Sequence, residues 1–332
     1  MPTRIAALRP RFAIPGGRVA VEGGPFTVGH DELPVVKVGG ETARTVWAGR
    51  TRVAFVVPPA TPGGLQPVRI EQVPGETAFL ETGTLVATGL HQVDSPVVDA
   101  SGTTYLTYSG SRGQQTPVSI YRVPRGGARE VFATGVTNPT SLALDPQGRL
   151  HVSSRFDGTV FRVDAEGHVE PYAGELGVAC GLAFAPDGTL FVGDRTGTVF
   201  RVSASGEVSP FASLPASVAA FHLAAAPDGR LYATAPTLAA RDAVYRIDPD
   251  GATAVVTRSF GRPQGLACDA QGRLYVVEAL AGASGIYRVE PDGTAELVLS
   301  GAGLIGLAFD PLGGVVVATA DSAYRLEAAG WP

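Results

Sequence analysis

The chain repeats itself. Six copies of one strand pattern run from about Pro96 to the C-terminus, aligned on Pro96, Leu142, Leu182, Leu223, Leu266 and Leu307, with spacings of 46, 40, 41, 43 and 41 residues. A period near forty restricts a chain to architectures built from small units that bury their apolar faces against their neighbours. Each copy opens on an apolar strand such as Leu142-Ala143-Leu144 or Leu182-Ala183-Phe184. A turn follows: Asp145-Pro146-Gln147-Gly148, Ala185-Pro186-Asp187-Gly188, Ala226-Pro227-Asp228-Gly229 or Asp269-Ala270-Gln271-Gly272. Proline presets a negative φ early in such a quartet and glycine accepts a positive φ at its end, so these are hairpin connections.

Second strands follow at Leu150-His151-Val152, Leu190-Phe191-Val192, Leu231-Tyr232-Ala233 and Leu274-Tyr275-Val276. A third strand carries an aromatic-Arg-aliphatic triplet in all six copies, centred on Arg122, Arg162, Arg201, Arg246, Arg288 and Arg325. Because those arginines recur in every copy, they belong to the repeat and not to a site. A fourth, less apolar strand ends the unit. Four short antiparallel strands per unit, with little room for helix, predict an all-β chain with a six-bladed β-propeller. The last copy stops after its third strand, at Trp331-Pro332, whereas Leu85 to Leu90 resembles the outer strand Val131 to Val136. Residues from about Ala78 to Leu90 are therefore expected to supply the missing strand and close the ring, hiding edges that would otherwise template aggregation.

Residues 1–76 lack the period. Alternating strands at Arg18 to Val21, Val35 to Val38, Arg52 to Val57 and Pro67 to Ile70 predict a small β-sandwich, leaving 77–332 to the propeller. The segment resembles the IPT/TIG immunoglobulin-like family. The likeness rests on an opening strand from Ile5 to Pro10, Gly16-Gly17, Val21-Glu22-Gly23, Val38-Gly39-Gly40, Val57-Pro58-Pro59 and Gly63-Gly64. That resemblance implies a spacer or docking module and names no activity.

Hydrophobic residues make up 45% of the 332 and charged ones 17%, which excludes a disordered chain, and the 43 Gly and 26 Pro suit a turn-rich all-β fold. A net charge of -5 without a basic run argues against nucleic acid as a partner. The arginines of the N-terminal segment read as scattered, solvated strand residues. No stretch has the length or apolarity of a membrane span, and Met1 to Ile5 lead into the first strand without an apolar leader. A cytoplasmic protein, or a mature form of an exported one, is expected. The composition, rich in Ala, Gly and Arg with Lys37 as sole lysine, fits a GC-rich bacterial genome. Cys180 and Cys268 fall at different strand positions in non-adjacent copies, so no disulfide is expected.

Function is expected where the loops entering the inner strands meet those leaving the second strands, around the mouth of the central channel. The first set places Asp94, Thr140, Cys180, Phe221, Gln264 and Ile305 there; the second places Tyr108, Ser154, Asp194, Ala235, Glu278 and Thr319. Arg112, Arg155, Arg195, His91, Asn138 and His222 are neighbours. The candidate ligand-binding residues are Asp94, Arg155, Asp194, Arg195, His222, Gln264 and Glu278. Asp94, Asp194, His222 and Glu278 are the candidates for acid/base chemistry, and Asp94, Asp194 and Glu278 for a metal. The plainer expectation makes Asp194 with Arg195, and Arg155 with Asp157, local ion pairs. No nucleophile elbow, P-loop, dinucleotide fingerprint or Cys-x-x-Cys is present.

The propeller region resembles the gluconolactonase/senescence-marker family and the NHL-repeat proteins. The likeness is carried by Gly181-Leu182-Ala183, Gly265-Leu266-Ala267, Gly306-Leu307-Ala308, the Pro-Asp-Gly turns and the Tyr-Arg-Val strands. It implies one divalent metal such as calcium, held at four positions that fall here on Asp94, Cys180, Phe221 and Gln264. Calcium takes six to eight oxygen ligands, and this set offers few. Two readings follow. One is a recognition protein without cofactor that binds a small molecule, glycan or protein at the mouth. The other is a diverged lactonase or esterase.

Overall fold

A propeller blade depends on its hairpins, and here the turn residues enforce them. At Asp145-Pro146-Gln147-Gly148, Gly148 takes φ 78°, and its N–H donates to the Asp145 carbonyl at 2.8 Å. The Asp145 carboxylate then accepts the N–H groups of Gln147 and Arg149 at 2.9 Å each and the Arg149 side chain at 2.6 Å. Asp269 repeats the arrangement with Gln271 and Arg273.

The computed structural model describes residues 4–28, 33–327 and 331, and among them every element is a strand. No helix is long and apolar enough to cross a membrane. The expected ends of the two domains at residues 1 and 332 lie outside the described residues. The N-terminal strands are β1 (Arg4–Arg9), β2 (Phe12–Ala13), β3 (Arg18–Gly24), β4 (Val36–Val38), β5 (Glu41–Gly49), β6 (Arg52–Val56), β7 (Gly64–Ile70), β8 (Ala78–Thr82) and β9 (Thr84–Ala87). Strands β1 and β3 to β8 enclose a core of their own around Val19, Val21, Val36, Phe55, Val68 and Leu80.

The repeats form a β-propeller arrangement. Five four-stranded sheets stand alone: residues 97–133, 139–173, 179–213, 222–260, and the strands Leu304–Phe309, Val315–Thr319 and Ala323–Leu326 completed by β9. Six separate sheets are expected from the repeats, and the pairing gives five. The strands Pro263–Cys268, Leu274–Glu278, Gly285–Val289 and Ala295–Ser300 pair in the same antiparallel order. Their outer strand also pairs in parallel with β2, at Phe12 with Leu299 and Ala13 with Ser300, and β2 pairs in parallel with β8. One twelve-stranded sheet therefore runs from the N-terminal segment into the repeats, so neither a sixth free-standing blade nor a separate sandwich results.

The inner strands pack in chain order, from Val97–Val98 round to Leu304–Phe309, which returns to Val97–Val98. The hydrophobic core lies between sheets: Ala143 and Val160 of one pack with Leu182, Leu190 and Val192 of the next. Closure comes from β9, whose Ala87, Leu85 and Thr84 pair with Ala323, Tyr324 and Arg325. The segment expected to close the ring from Ala78 onward is thus divided, because β8 pairs with β7 and stays with the N-terminal strands.

Five of the third-strand arginines meet carboxylates; Arg122 with Glu130 and Arg288 with Glu290 and Glu296 are partly exposed pairs of modest worth. Arg325 differs. It pairs with the fully buried Asp310, which Arg125 also contacts at 2.5 Å, beside the closing strand.

Two outcomes are expected. Phe12 is 4% exposed and packs on Trp331, with ring centroids 5.2 Å apart, inside the cluster that also holds Tyr275, Leu299 and Val315. Phe12→Ala should cost about 3 kcal/mol in urea unfolding. His151 is buried between the rings of Tyr172 and Phe184, and burial pushes its pKa down from 6.5 to about 4. The unfolded chain takes up that proton first as pH falls, so this contribution is complete above pH 6.5 and drains away toward pH 4. The loss should reach on the order of 2 kcal/mol at pH 5, and His151→Phe should flatten that part of the stability profile.

Candidate functional site

Close packing at the ring's centre explains the Gly-Leu-Ala openings. A Cβ on Gly181 would sit 2.5 Å from the Phe221 carbonyl oxygen, and one on Gly306 2.4 Å from the Ser95 Cα. These glycines let neighbouring inner strands approach; they carry no chemistry.

Where the loops converge, a cavity of about 360 Å³ opens. Thr140, Cys180, Gln264 and Ile305, four of the six residues expected in the first set, line it, together with Arg155 and Arg195. Gln92 also lines it and was not legible as a candidate: its Nε2 donates to the Thr319 carbonyl at 3.1 Å, a contact that closure of the ring creates. Arg195 donates to the carbonyls of Ser217 and Val218 at 3.3 and 3.1 Å. Arg155 is half-buried and has no hydrogen bond or ion pair among the described residues. Burial chiefly disfavours its charge, lowering its pKa; Cys180 comes next and opposes that, and the guanidiniums of Arg195 and Arg112 add smaller lowering effects. The local pairs Asp194–Arg195 and Arg155–Asp157 do not form. Asp157 instead donates its backbone N–H to Ser154 Oγ at 3.0 Å.

Asp94 and His222 come together from repeats three apart. His222 Nδ1 lies 2.6 Å from Asp94 Oδ1, and both side chains are buried. Asp94 Oδ1 also accepts the Ser95 N–H at 2.7 Å. With Nδ1 donating to the carboxylate, Nε2 is left buried without a partner among the described residues. A buried polar nitrogen without a partner is uncommon and marks the place as one where a ligand group or water belongs. Neither side chain of the pair lines the cavity, although Val93, next to Asp94 in the chain, does.

Asp194 and Glu278 do something else. Asp194 Oδ1 accepts the Val178 N–H at 2.8 Å, and Oδ2 accepts the Thr196 hydroxyl. Glu278 accepts three backbone N–H groups: Gly261 at 2.6 Å, Arg262 at 2.9 Å and Leu280 at 2.7 Å. Ser154, at the matching point of its repeat, donates to the Thr137 carbonyl at 2.6 Å. In each case the end of a second strand clasps the segment entering its own inner strand. The sequence signal for this was present, since the position is polar in most copies, as the third-strand arginine is basic in all. Asn138 is likewise a loop organiser, at φ 48°, bonded to Ser109, Ser111 and Gly113.

The residues present do not fit the divalent metal that the sequence resemblance implies. Phe221 is fully buried and offers no donor atom, and burial pushes the Cys180 thiol up to about 11, far from thiolate. Asp94 already serves His222 and Ser95, and each carboxylate oxygen of Asp194 and Glu278 already accepts an N–H or O–H group. Cys180 and Cys268 are both free thiols.

No family model and no curated protein matches the chain. Solved structures do. A gluconolactonase from Xanthomonas campestris is similar at 18% identity and TM-score 0.60, over 72% of this chain and 88% of that one. An auxiliary nutrient binding protein from Bacteroides thetaiotaomicron is similar at 14% identity and TM-score 0.58, over 98% and 97%. A virginiamycin B lyase from Staphylococcus aureus is similar at 14% identity and TM-score 0.54, over 88% and 94%. At these identities the likeness shows the fold alone.

If Glu278 is a clasp, Glu278→Ala takes the acceptor from three N–H groups at a partly buried loop and should cost about 1–3 kcal/mol in urea unfolding, by the same amount with or without calcium. Unchanged stability in that variant would remove the clasp assignment.

Proposed function

We propose that the protein is a binding propeller whose mouth recognises a small molecule bearing an acidic group, without a divalent metal. The observation that carries this is Arg155: half-buried on the cavity wall, without a counter-ion, and held there against burial and two further guanidiniums. An anionic group seated between Arg155 and Arg195 would relieve that repulsion and form charge-assisted hydrogen bonds. Gln264 and Thr140 supply neutral polar contacts on the same wall.

In this reading the strands from Pro263–Cys268 to Ala295–Ser300 act as a sixth blade. Support comes from their antiparallel order and from the packing of Pro263–Cys268 between the inner strands before and after it. The N-terminal strands act as an immunoglobulin-like docking module. The division drawn at residue 76 moves to Gly83, between β8 and β9.

A second reading, a diverged lactonase or other acid/base enzyme, is favoured by the Asp94–His222 pair with its free Nε2. Aspartate would hold the imidazole in one tautomer and leave Nε2 to take or give a proton.

Calorimetry with chelator-treated protein and a panel of sugar acids, their lactones and the matching neutral sugars separates these readings. Binding by acids but not neutral sugars, weakened about tenfold or more by Arg155→Ala and by Arg195→Ala, is expected. Equal binding by the double variant would overturn the mouth assignment. Lactone turnover that vanishes in His222→Ala while binding persists would establish the second reading instead.

A further inference from the structure

The arginines of the N-terminal segment are not scattered in space. Side chains on a strand alternate between faces, so Arg18, Ala20 and Glu22 of β3 share a face with Arg52, Ala54 and Val56 of β6, Glu22 lying opposite Arg52 at the end of the strands. Register sets Arg18 opposite Val56 and Ala20 opposite Ala54. It also sets Arg44 of β5 opposite Val56 and Arg9 of β1 opposite Ala20. Four arginines thus ring a floor of two alanines.

This face forms one wall of a cleft of about 670 Å³, whose other wall is made by the propeller segments around Ala281 to Ser284 and Gly301 to Gly303. The volume is that of a ligand cleft. All four arginines line it, and no Asp or Glu does. Arg9 pairs with Glu22 at 2.9 Å; Arg18, Arg44 and Arg52 make no side-chain hydrogen bond or ion pair among the described residues. Ser284, also lining the cleft, has a buried hydroxyl without a partner. In a chain of net charge -5, such a concentration of unpaired positive charge facing small residues is a departure from the rest of the surface.

We propose that this cleft is a second binding site, for a small oligoanion carrying two or more carboxylate, sulfate or phosphate groups. Its spacing follows from the sheet. Arg18 and Arg44 lie on the two strands flanking β6, about 10 Å apart, and Arg52 lies four residues along β6 from Val56, about 13 Å. One small anion cannot engage all of them, whereas a ligand with charges spread along its length can. The small residues of both walls leave room for its body, and Ser284 Oγ is a hydrogen-bond partner within the cleft. Bound there, the ligand would also brace the N-terminal sheet against the propeller. The site shares no residue with the mouth cavity and stands whether or not the mouth binds an acid.

The test is titration calorimetry of the full chain with trigalacturonate and with tripolyphosphate, at about 50 mM salt, and with neutral maltotriose as control. Binding of one or both oligoanions but not of maltotriose is expected, and which of the two binds tells an acidic sugar from a phosphate source. Arg18→Gln with Arg44→Gln should weaken it at least about tenfold, as loss of charge-assisted contacts requires. Arg155→Ala should leave it unchanged. Both cleft side chains are exposed, and Arg18 holds Ser300 Oγ through its backbone N–H at 2.7 Å, so the double variant should keep the melting temperature of the free protein. Ala281→Trp, which fills the cleft from the propeller side without replacing an arginine, should block binding independently. No binding of either oligoanion, or undiminished binding in the double variant and in Ala281→Trp, would overturn the proposal.

Discussion

Closure rests on three residue pairs, β9 against Ala323–Leu326, and the mouth exists only because that ring is closed. The pairing joins Leu85 to Tyr324 across nearly the whole repeat region, so it forms at a cost in loop entropy that local hairpins do not meet. Contacts around it raise the return. Leu90 N–H donates to the Asp321 carbonyl at 3.0 Å and Gln92 N–H to the Ala320 carbonyl at 2.9 Å. Nearby, the buried carboxylate of Asp310 is held by Arg125 and Arg325, so removing either partner would expose a poorly compensated charge. Gln92 then reaches the cavity wall directly from the closing segment. Structure at the seam and geometry at the mouth are consequences of one event.

The splice at β2 acts on the opposite side of the same problem. Two residues, Phe12 and Ala13, insert in parallel between β8 and Ala295–Ser300 and satisfy an outer edge that would otherwise be open. Phe12 and Ile14 join Tyr275, Leu299 and Val315 in one apolar cluster, which fixes the N-terminal sheet to a particular blade edge. The arginine-lined cleft lies along this junction. Its walls come from two parts of the chain, and its width is set by how β2 and the Arg18–Ser300 contact dock them.

Legibility in the sequence followed the range of the interaction. Turns such as Asp145 to Gly148, the alternation of the strands and the recurring third-strand arginines are local, and they specify repeat length, strand order and fold class. The β2 splice has no local signature, because a two-residue strand shows no alternation and its partners lie about 70 and 287 residues away. Hence the number of free-standing sheets was not readable. The site divided similarly. Thr140, Cys180, Gln264, Arg155 and Arg195 were placed at the mouth by repeat position alone. Asp194 and Glu278 looked chemical because buried carboxylates need partners; the partners are backbone N–H groups of their own loops, which no side-chain pattern encodes. The converging arginines of β3, β5 and β6 were visible as residues, but their common face required the register.

Charge ties the mouth together. At the four positions where the resemblance implies metal ligands, this chain has Asp94, Cys180, Phe221 and Gln264, and the one carboxylate among them is turned toward His222. Phe221 fills its place with a ring that a Cβ on Gly193 would approach to 2.3 Å, so hydrophobic packing occupies what a cation would need. Meanwhile Arg155 and Arg195 bring fixed positive charge to the wall. A guanidinium cannot be titrated away at ordinary pH, and it repels a divalent cation. The positive charge on the cavity wall is carried by the protein itself. His222 Nε2, fully buried and without a partner among the described residues, is not part of that wall.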